Sequence, residues 1–89
     1  MEEAYLLEFG RNVQLWRRLQ GISASSLASR AGISRNTLAS IEKGTGASSL
    51  ANVFAVLNAL GICSQIVQAA QPGNTELGRE LIYRMTRNG

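Results

Sequence analysis

The fold of this chain is decided by residues 21–44, which read GISASSLASRAGISRNTLASIEKG. Ser23 and Ser34 stand where helix N-caps belong, because a serine hydroxyl can accept from the free amides of the following turn. Gly32 is the expected end of the first helix, since glycine readily adopts the left-handed conformation that closes a helix. The stretch therefore predicts two short helices joined by a tight turn, Ala24–Ala31 and Arg35–Lys43.

The second of these helices has distinct inner and outer sides. Leu38 and Ile41 lie three residues apart and are expected to face the core. The opposite side shows small polar and basic residues, namely Arg35, Asn36 and Ser40, with Thr37 and Ala39 beside them. Two short helices with these features are typical of a helix-turn-helix whose second helix enters the DNA major groove.

The composition fits one small domain without an active site. The chain has 89 residues, of which 45% are apolar, and a net charge of +3 that favours an anionic partner. Histidine and aspartate are both absent, which removes the usual general base and most sets of metal ligands. We therefore expect no enzyme activity, no catalytic residue, no cofactor and no metal site.

The sequence also predicts a cytoplasmic location. No apolar run approaches the roughly 20 residues that span a bilayer. The first residues, MEEAYLLEFG, lack the basic start and apolar centre of a secretion signal. Cys63 is the only cysteine and cannot form an internal disulfide, which fits a reducing compartment.

Two further helices are expected to complete a four-helix core. In the first, over residues 3–20, apolar side chains recur at steps of three and four and so share one face. In the other, Leu50–Leu60, Ser49 is the expected cap and most sides are apolar, which is typical of a helix at the centre of a core. The apolar face of the first helix consists of Leu6, Phe9, Val13 and Trp16.

The segment after Gly61 has a different pattern and predicts a β-strand that begins at Ile62 and ends at Ala70. Its side chains alternate, and β-branched residues are frequent. No second strand is expected in the chain, and a lone strand would expose unpaired backbone groups. Pairing with the same strand of a second copy about a two-fold axis is the simplest remedy. We therefore predict a homodimer through this strand.

A turn at Pro72–Asn74 and an amphipathic helix over residues 75–87 are expected to end the chain. The apolar residues of this tail helix are Leu77, Leu81, Ile82 and Met85. The helix either packs on the paired strands or binds a protein partner, and the sequence leaves both alternatives open.

Over residues 9–61 the chain resembles the Cro/C1 (xenobiotic-response-element) family of helix-turn-helix regulators. The extension beyond Gly61 resembles the β-tailed branch of that family, which includes the antitoxin-repressors of Hip-type toxin–antitoxin modules. The matching residues are Gly21, Ser23, Leu27, Ala28, Ala31, Gly32, Ile33, Ser34, Thr37, Leu38, Ile41, Glu42, Gly44, Ser49, Leu50, Ala59, Leu60 and Gly61.

The resemblance implies a mostly α fold with two parts. Residues 1–61 would form the DNA-binding domain, and residues 62–89 would form an extension for dimerisation or for a partner. The expected architecture is a five-helix lambda-repressor-like helix-turn-helix domain, with four core helices and a C-terminal helix. One C-terminal β-strand would pair across the dimer.

The resemblance also implies that the third helix reads DNA bases. Arg35 and Asn36 match the first recognition-helix contacts of the family, and Ser40 matches a later one. Arginine offers two donors to guanine O6 and N7, and asparagine can pair with adenine N6 and N7. Thr37 and Ser34 would donate hydroxyl groups to phosphate.

Two further positions follow from the same resemblance. Lys43, with the backbone amides of the loop over residues 44–49, would hold neighbouring phosphates. Glu42 matches a glutamate that pairs with an arginine of the first helix, which here is Arg17.

One position departs from the pattern of the family. Where the family has a glutamine that contacts the DNA backbone and supports the recognition helix, this chain has Ala24. Ser25 and Ser26 follow and would supply shorter hydroxyl contacts.

These observations predict a sequence-specific DNA-binding repressor that acts as a homodimer on a palindromic operator, with a toxin as a further protein partner. Two alternatives remain. One is an adaptor that keeps the helix-turn-helix fold with little or no sequence-specific DNA reading, which Ala24 and the scarcity of lysine favour. The other is a toxin-neutralising protein in which DNA binding is secondary.

Overall fold

The computed structural model describes residues 2–88, and this part of the chain is almost entirely helical. It contains six α-helices and one 3₁₀ turn, and no strand occurs among the described residues. Met1 and Gly89, the outer ends of the two predicted segments, lie outside the described residues. The elements are α1 (Glu2–Leu19), α2 (Ala24–Ala31), α3 (Arg35–Lys43), α4 (Leu50–Leu60), α5 (Cys63–Ala69), the 3₁₀ turn (Pro72–Asn74) and α6 (Glu76–Asn88).

The predicted boundaries of α2, α3 and α4 are confirmed, because local contacts fix both ends of each helix. Each of the three begins after a serine whose hydroxyl accepts from the amide three residues on. Each ends at a glycine with left-handed backbone, whose amide donates to carbonyls of the last turn. The caps are Ser23, Ser34 and Ser49, and the glycines are Gly32, Gly44 and Gly61.

The core lies among α1, α2, α3 and α4, as predicted. Its members are aliphatic, and burying each large side chain contributes about 1.5–3 kcal/mol to stability. The inward orientation predicted for α2 and α3 is confirmed. The buried apolar residues are Val13, Leu27, Ala28, Leu38, Ile41, Val56, Leu57, Leu60 and Ile62.

The backbones of α1 and α3 approach each other at Gly10, which the apolar pattern did not indicate. A Cβ atom at Gly10 would lie 2.5 Å from the carbonyl oxygen of Glu42 and 2.6 Å from that of Ile41. The contact therefore centres on Gly10 and the buried Val13, and Trp16 lies at its edge with 43% of its surface exposed. The expectation that Trp16 belongs to the core is wrong for this reason.

The predicted strand from Ile62 to Ala70 is also wrong, because residues 63–69 form α5. Ile62 is buried in the core, and Ile66, four residues later, faces a groove beside α4, which is the spacing of a helix. The Ile62 amide donates to the Leu57 carbonyl (3.0 Å), which closes α4 and directs the chain into the next helix. A helix pairs its own backbone groups, so this segment needs no partner strand.

The correction changes the predicted architecture. Five helices with one strand become six helices without a strand in the described residues. The dimer that was predicted through pairing of the strand loses its structural basis, because no such strand is present there.

The tail helix is confirmed as α6, one residue later than predicted at each end. It packs mainly on the 3₁₀ turn, and the described chain extends 52 × 27 × 21 Å. Thr75 Oγ1 accepts from the Gly78 amide (2.9 Å), and Arg79 Nη1 donates to the Gly73 carbonyl (3.2 Å). Local contacts therefore fix the direction of α6. In the described part of the chain, no helix has the combination of length and apolarity that crossing a membrane requires.

Replacing Gly10 by alanine tests the close approach of α1 and α3. Alanine in a helix interior normally stabilises by up to about 1 kcal/mol relative to glycine. We expect Gly10→Ala to lower the free energy of unfolding by about 1–3 kcal/mol instead, because the methyl group meets backbone carbonyls of α3. Urea unfolding followed by circular dichroism measures the change.

Gly73→Ala is the matched control, since nothing lies within 4 Å of its Cβ position. It should change stability by less than about 0.5 kcal/mol. If Gly10→Ala and Gly73→Ala lowered the free energy of unfolding by similar amounts, α1 and α3 would not approach each other as described.

Candidate nucleic-acid interface

The outer face of α3 brings several of the predicted contact residues onto one arc. At 3.6 residues per turn, this arc covers about 140° of the helix. Leu38 and Ile41 are buried on the opposite side and fix the rotation of the helix. The predicted residues on the arc are Arg35, Asn36, Ser40 and Lys43, and all are exposed except Ser40, which is half-buried.

Arg35 and Asn36 are adjacent in the first turn of α3 and project from the surface. Within residues 2–88, neither side chain takes part in a hydrogen bond or an ion pair, so their donors are available. Lys43 lies in the last turn of the same helix, about 12 Å from Arg35 along the axis.

The start of α3 is closed by hydrogen bonds between Ser34 and Thr37. Ser34 Oγ accepts from the Thr37 amide (3.0 Å) and donates to Thr37 Oγ1 (2.9 Å). The proton of Ser34 is therefore used, whereas the hydroxyl of Thr37 keeps its own proton for another acceptor. This arrangement favours Thr37 over Ser34 as a donor to phosphate.

Ser40 is tied to the loop that follows α3. Its hydroxyl is hydrogen-bonded to that of Thr45, and Thr45 Oγ1 also accepts from the Ala47 amide (3.2 Å). A contact from Ser40 to a base would require this link to open. Thr45 was not among the predicted residues, although a hydroxyl between two glycines is a recognisable signal of an ordered loop.

The same loop is held against α1 at Gly44. A Cβ atom at Gly44 would lie 2.5 Å from the Leu6 carbonyl oxygen, and its φ of +71° is the left-handed conformation that favours glycine. The loop that was predicted to offer amides to phosphate therefore has a defined position relative to α1 and α3.

A bidentate ion pair sets the orientation of α3 on α1. Arg17 Nε donates to Glu42 Oε2 (2.8 Å) and Nη2 to Oε1 (3.1 Å), which confirms the predicted pair. Nη1 donates to the Ile22 carbonyl (3.2 Å), and the two charged side chains are only 13% and 8% exposed. Hydrogen bonding to the carboxylate raises the pKa of Arg17, against the effect of burial, so the guanidinium stays protonated wherever the protein is folded.

Ala24 leaves a depression of about 340 Å³ between the start of α2 and the outer face of α3. Arg35, Asn36 and Glu42 line it together with Ala24, so a longer side chain at position 24 would enter a space that these residues border. Ser25 is exposed in the same first turn of α2. The contact that a glutamine would make with the recognition helix is replaced here by open space.

A family model described as helix-turn-helix matches residues 13–64, more than half of the chain. The chain belongs to this Cro/C1-type family of helix-turn-helix DNA-binding regulators. The match covers most of α1 together with α2, α3 and α4, and it ends within α5. No curated protein matches the chain.

Substituting Ala24 by glutamine tests the importance of the depression. We expect Ala24→Gln to tighten binding to random duplex DNA about threefold to tenfold at low salt, because the new amide can donate to a phosphate beside α3. Fluorescence anisotropy measures the affinity.

Ala51→Gln is the control, since Ala51 is an exposed alanine in the first turn of α4. It should leave the affinity unchanged. An unchanged or weaker affinity for Ala24→Gln would show that the start of α2 does not approach the DNA backbone.

Proposed function

We propose that this helix-turn-helix regulator is a sequence-specific repressor that binds a palindromic operator as a homodimer. The observation that carries the proposal is the pair Arg35 and Asn36, which lie side by side at the start of α3 without partners among residues 2–88. The first turn of a recognition helix is the part that contacts base edges in the major groove.

Each exposed residue of α3 has a role that fits its chemistry. Arg35 donates two hydrogen bonds to guanine O6 and N7, and Asn36 pairs with adenine N6 and N7. Ala39 is exposed on the arc between Arg35 and Lys43, where its methyl group suits the methyl group of a thymine. Base recognition thus involves three neighbouring side chains.

Phosphate contacts surround this group. Lys43 at the end of α3 and the Thr37 hydroxyl at its flank hold the DNA backbone on either side of the base-reading residues. Ser25 extends these contacts at the start of α2, and Ser34 does so only after its hydrogen bond to Thr37 Oγ1 opens. Ser40 contributes after its hydrogen bond with Thr45 opens, or positions the loop without touching DNA.

Homodimerisation supplies the affinity that a single copy lacks. One copy has a net charge of +3 and a single lysine, so the electrostatic attraction to phosphate is modest. Two copies related by a two-fold axis place two α3 helices in successive major grooves, with half-site centres about 34 Å apart. Occupancy of a promoter then represses transcription, in the compartment that holds the DNA. The cytoplasmic location stays a prediction.

A second candidate function is protein binding on a retained helix-turn-helix fold. The depression at Ala24 favours it, since the support that glutamine gives to phosphate contact is missing. A toxin-neutralising role, in which the tail holds a partner toxin, belongs to this class. Loss of sequence preference after changes in α3 separates the two functions, because protein binding would not depend on Arg35 and Asn36.

Removal of the proposed base-reading side chains should relax sequence preference. Selection from random duplex DNA is expected to return a palindrome, and Arg35→Ala or Asn36→Ala should each cost about 1–3 kcal/mol at one position of the half-site. Arg18→Ala is the control, because Arg18 is an exposed arginine of α1. Arg18→Ala should change the binding affinity for selected and for scrambled duplexes by the same factor. If no sequence is selected, the repressor proposal fails.

Removal of the charge of Lys43 should act differently. Lys43→Gln is expected to weaken binding to all sequences by a similar factor, and to reduce the salt dependence by about one counterion per copy, because a phosphate contact carries no sequence information. Titrations at several salt concentrations measure the slope. A change of base preference would instead place Lys43 among the base-reading residues.

A further inference from the structure

The tail helix α6 has an apolar side that stays largely exposed in the described part of the chain, although the 3₁₀ turn packs on it at Gly78. Its four large apolar side chains are between 42% and 73% exposed, although they share about 140° of the helix surface. The charged residues of α6 occupy the remaining surface. The apolar side of α6 consists of Leu77, Leu81, Ile82 and Met85.

Contacts at the start of α6 hold this side away from the core. Gly78 is buried against the backbone of Pro72, and its small size permits that contact. Arg79 and Thr75 add hydrogen bonds to the 3₁₀ turn. The short, proline-containing connection therefore holds α6 mainly against the 3₁₀ turn, in a described chain that is 52 Å long and 27 × 21 Å across.

The same chain contains an open apolar groove of about 380 Å³ between α1, α4 and α5. Leu57 and Ile41 lie at its floor as buried core residues, and the walls are partly exposed. We refer to it below as the apolar groove. Its exposed walls are formed by Leu6, Leu50, Phe54 and Ile66.

We propose that α6 of one copy packs in the apolar groove of a second copy, and that the second copy returns the same contact. This inference rests on the homodimer of the proposed function and names its surface. A two-fold dimer makes each contact twice, so one exchange covers both unpartnered surfaces in both copies.

The area of the exchange matches that of a stable dimer. The four side chains of the apolar side and the four exposed wall residues retain 38–73% of their surface. At roughly 200 Å² for a fully exposed large side chain, complete burial of these eight side chains would remove at most about 800 Å² from water in one contact. Two such contacts would remove at most about 1,600 Å², which is the usual size of a specific interface.

Sedimentation of three variants tests the exchange. The wild type should be a dimer, and Leu81→Glu on the apolar side of α6 should raise the dimer dissociation constant at least 100-fold. Leu50→Glu in the groove should do the same. Tyr83→Glu is the control, because Tyr83 is 63% exposed on the opposite side of α6. Circular dichroism checks that all variants keep their helical content.

Mixing the two defective variants gives a more specific result. Leu81→Glu has an intact groove and Leu50→Glu has an intact α6, so a mixture should form dimers with one working contact. Neither variant alone should do so. Dimers of Leu50→Glu alone would indicate that α6 of one copy pairs with α6 of the other. A monomeric wild type would indicate that α6 binds the groove of its own copy or a different protein. Each of these results overturns the proposal.

Disulfide formation provides an independent measurement if a charged variant unfolds. In a Cys63→Ser background, a mixture of Ser48→Cys and Met85→Cys should form a mixed disulfide dimer, because Ser48 lines the groove. Met85→Cys alone should not cross-link. Formation of the Met85→Cys homodimer without the mixed species would overturn the exchange.

The DNA selection experiment keeps this proposal separate from the proposed function. A monomer that still selects a DNA sequence would overturn the exchange and leave base recognition intact. A dimer with the expected cross-link that selects no sequence would overturn the repressor function and leave the exchange intact.

Discussion

The placement of α3 depends on one seam, where it meets α1 at Gly10 and through the pair Arg17–Glu42. A partly buried ion pair adds little net stability, because the desolvation of the two charges offsets much of their attraction. Its value here is geometric, since the planar guanidinium meets the carboxylate in one orientation. The glycine fixes the distance between the two helices, and the ion pair fixes the rotation of α3 together with the buried Leu38 and Ile41. Together they determine which residues of a nine-residue helix face outward.

Helix boundaries could be predicted where the controlling contacts are local. Ser34 accepts from an amide three residues away, and Gly44 closes the same helix with a backbone conformation that few other residues adopt. These signals come from residues at the helix ends, so they do not depend on how the helices pack together. The pair Arg17–Glu42 was available from family resemblance, which carries information on contacts between distant parts of a chain.

The remaining features depend on contacts that composition does not encode. Residues 62–70 have nearly balanced alternation, and short apolar segments are ambiguous between strand and helix. The segment is a helix because Ile62 enters the core after α4 and Ile66, one helical turn later, faces the apolar groove. The role of Gly10 likewise depends on the carbonyl groups of α3 that lie against it, and the role of Ser40 depends on its hydrogen bond with Thr45. The residues that flank Gly10 and Ser40 in the sequence indicate neither contact.

The apolar groove and the base-reading face are not independent surfaces. Gly44 and Gly46 line the groove, and they belong to the loop that begins at the last turn of α3 and is linked to Ser40 through Thr45. An α6 helix seated in the groove would therefore contact the loop beside Lys43, the proposed phosphate ligand. The length of α6, about 20 Å for 13 residues, would set the distance between the two domains of a dimer. In that arrangement, the residues that join the copies also fix the spacing at which two α3 helices meet the DNA.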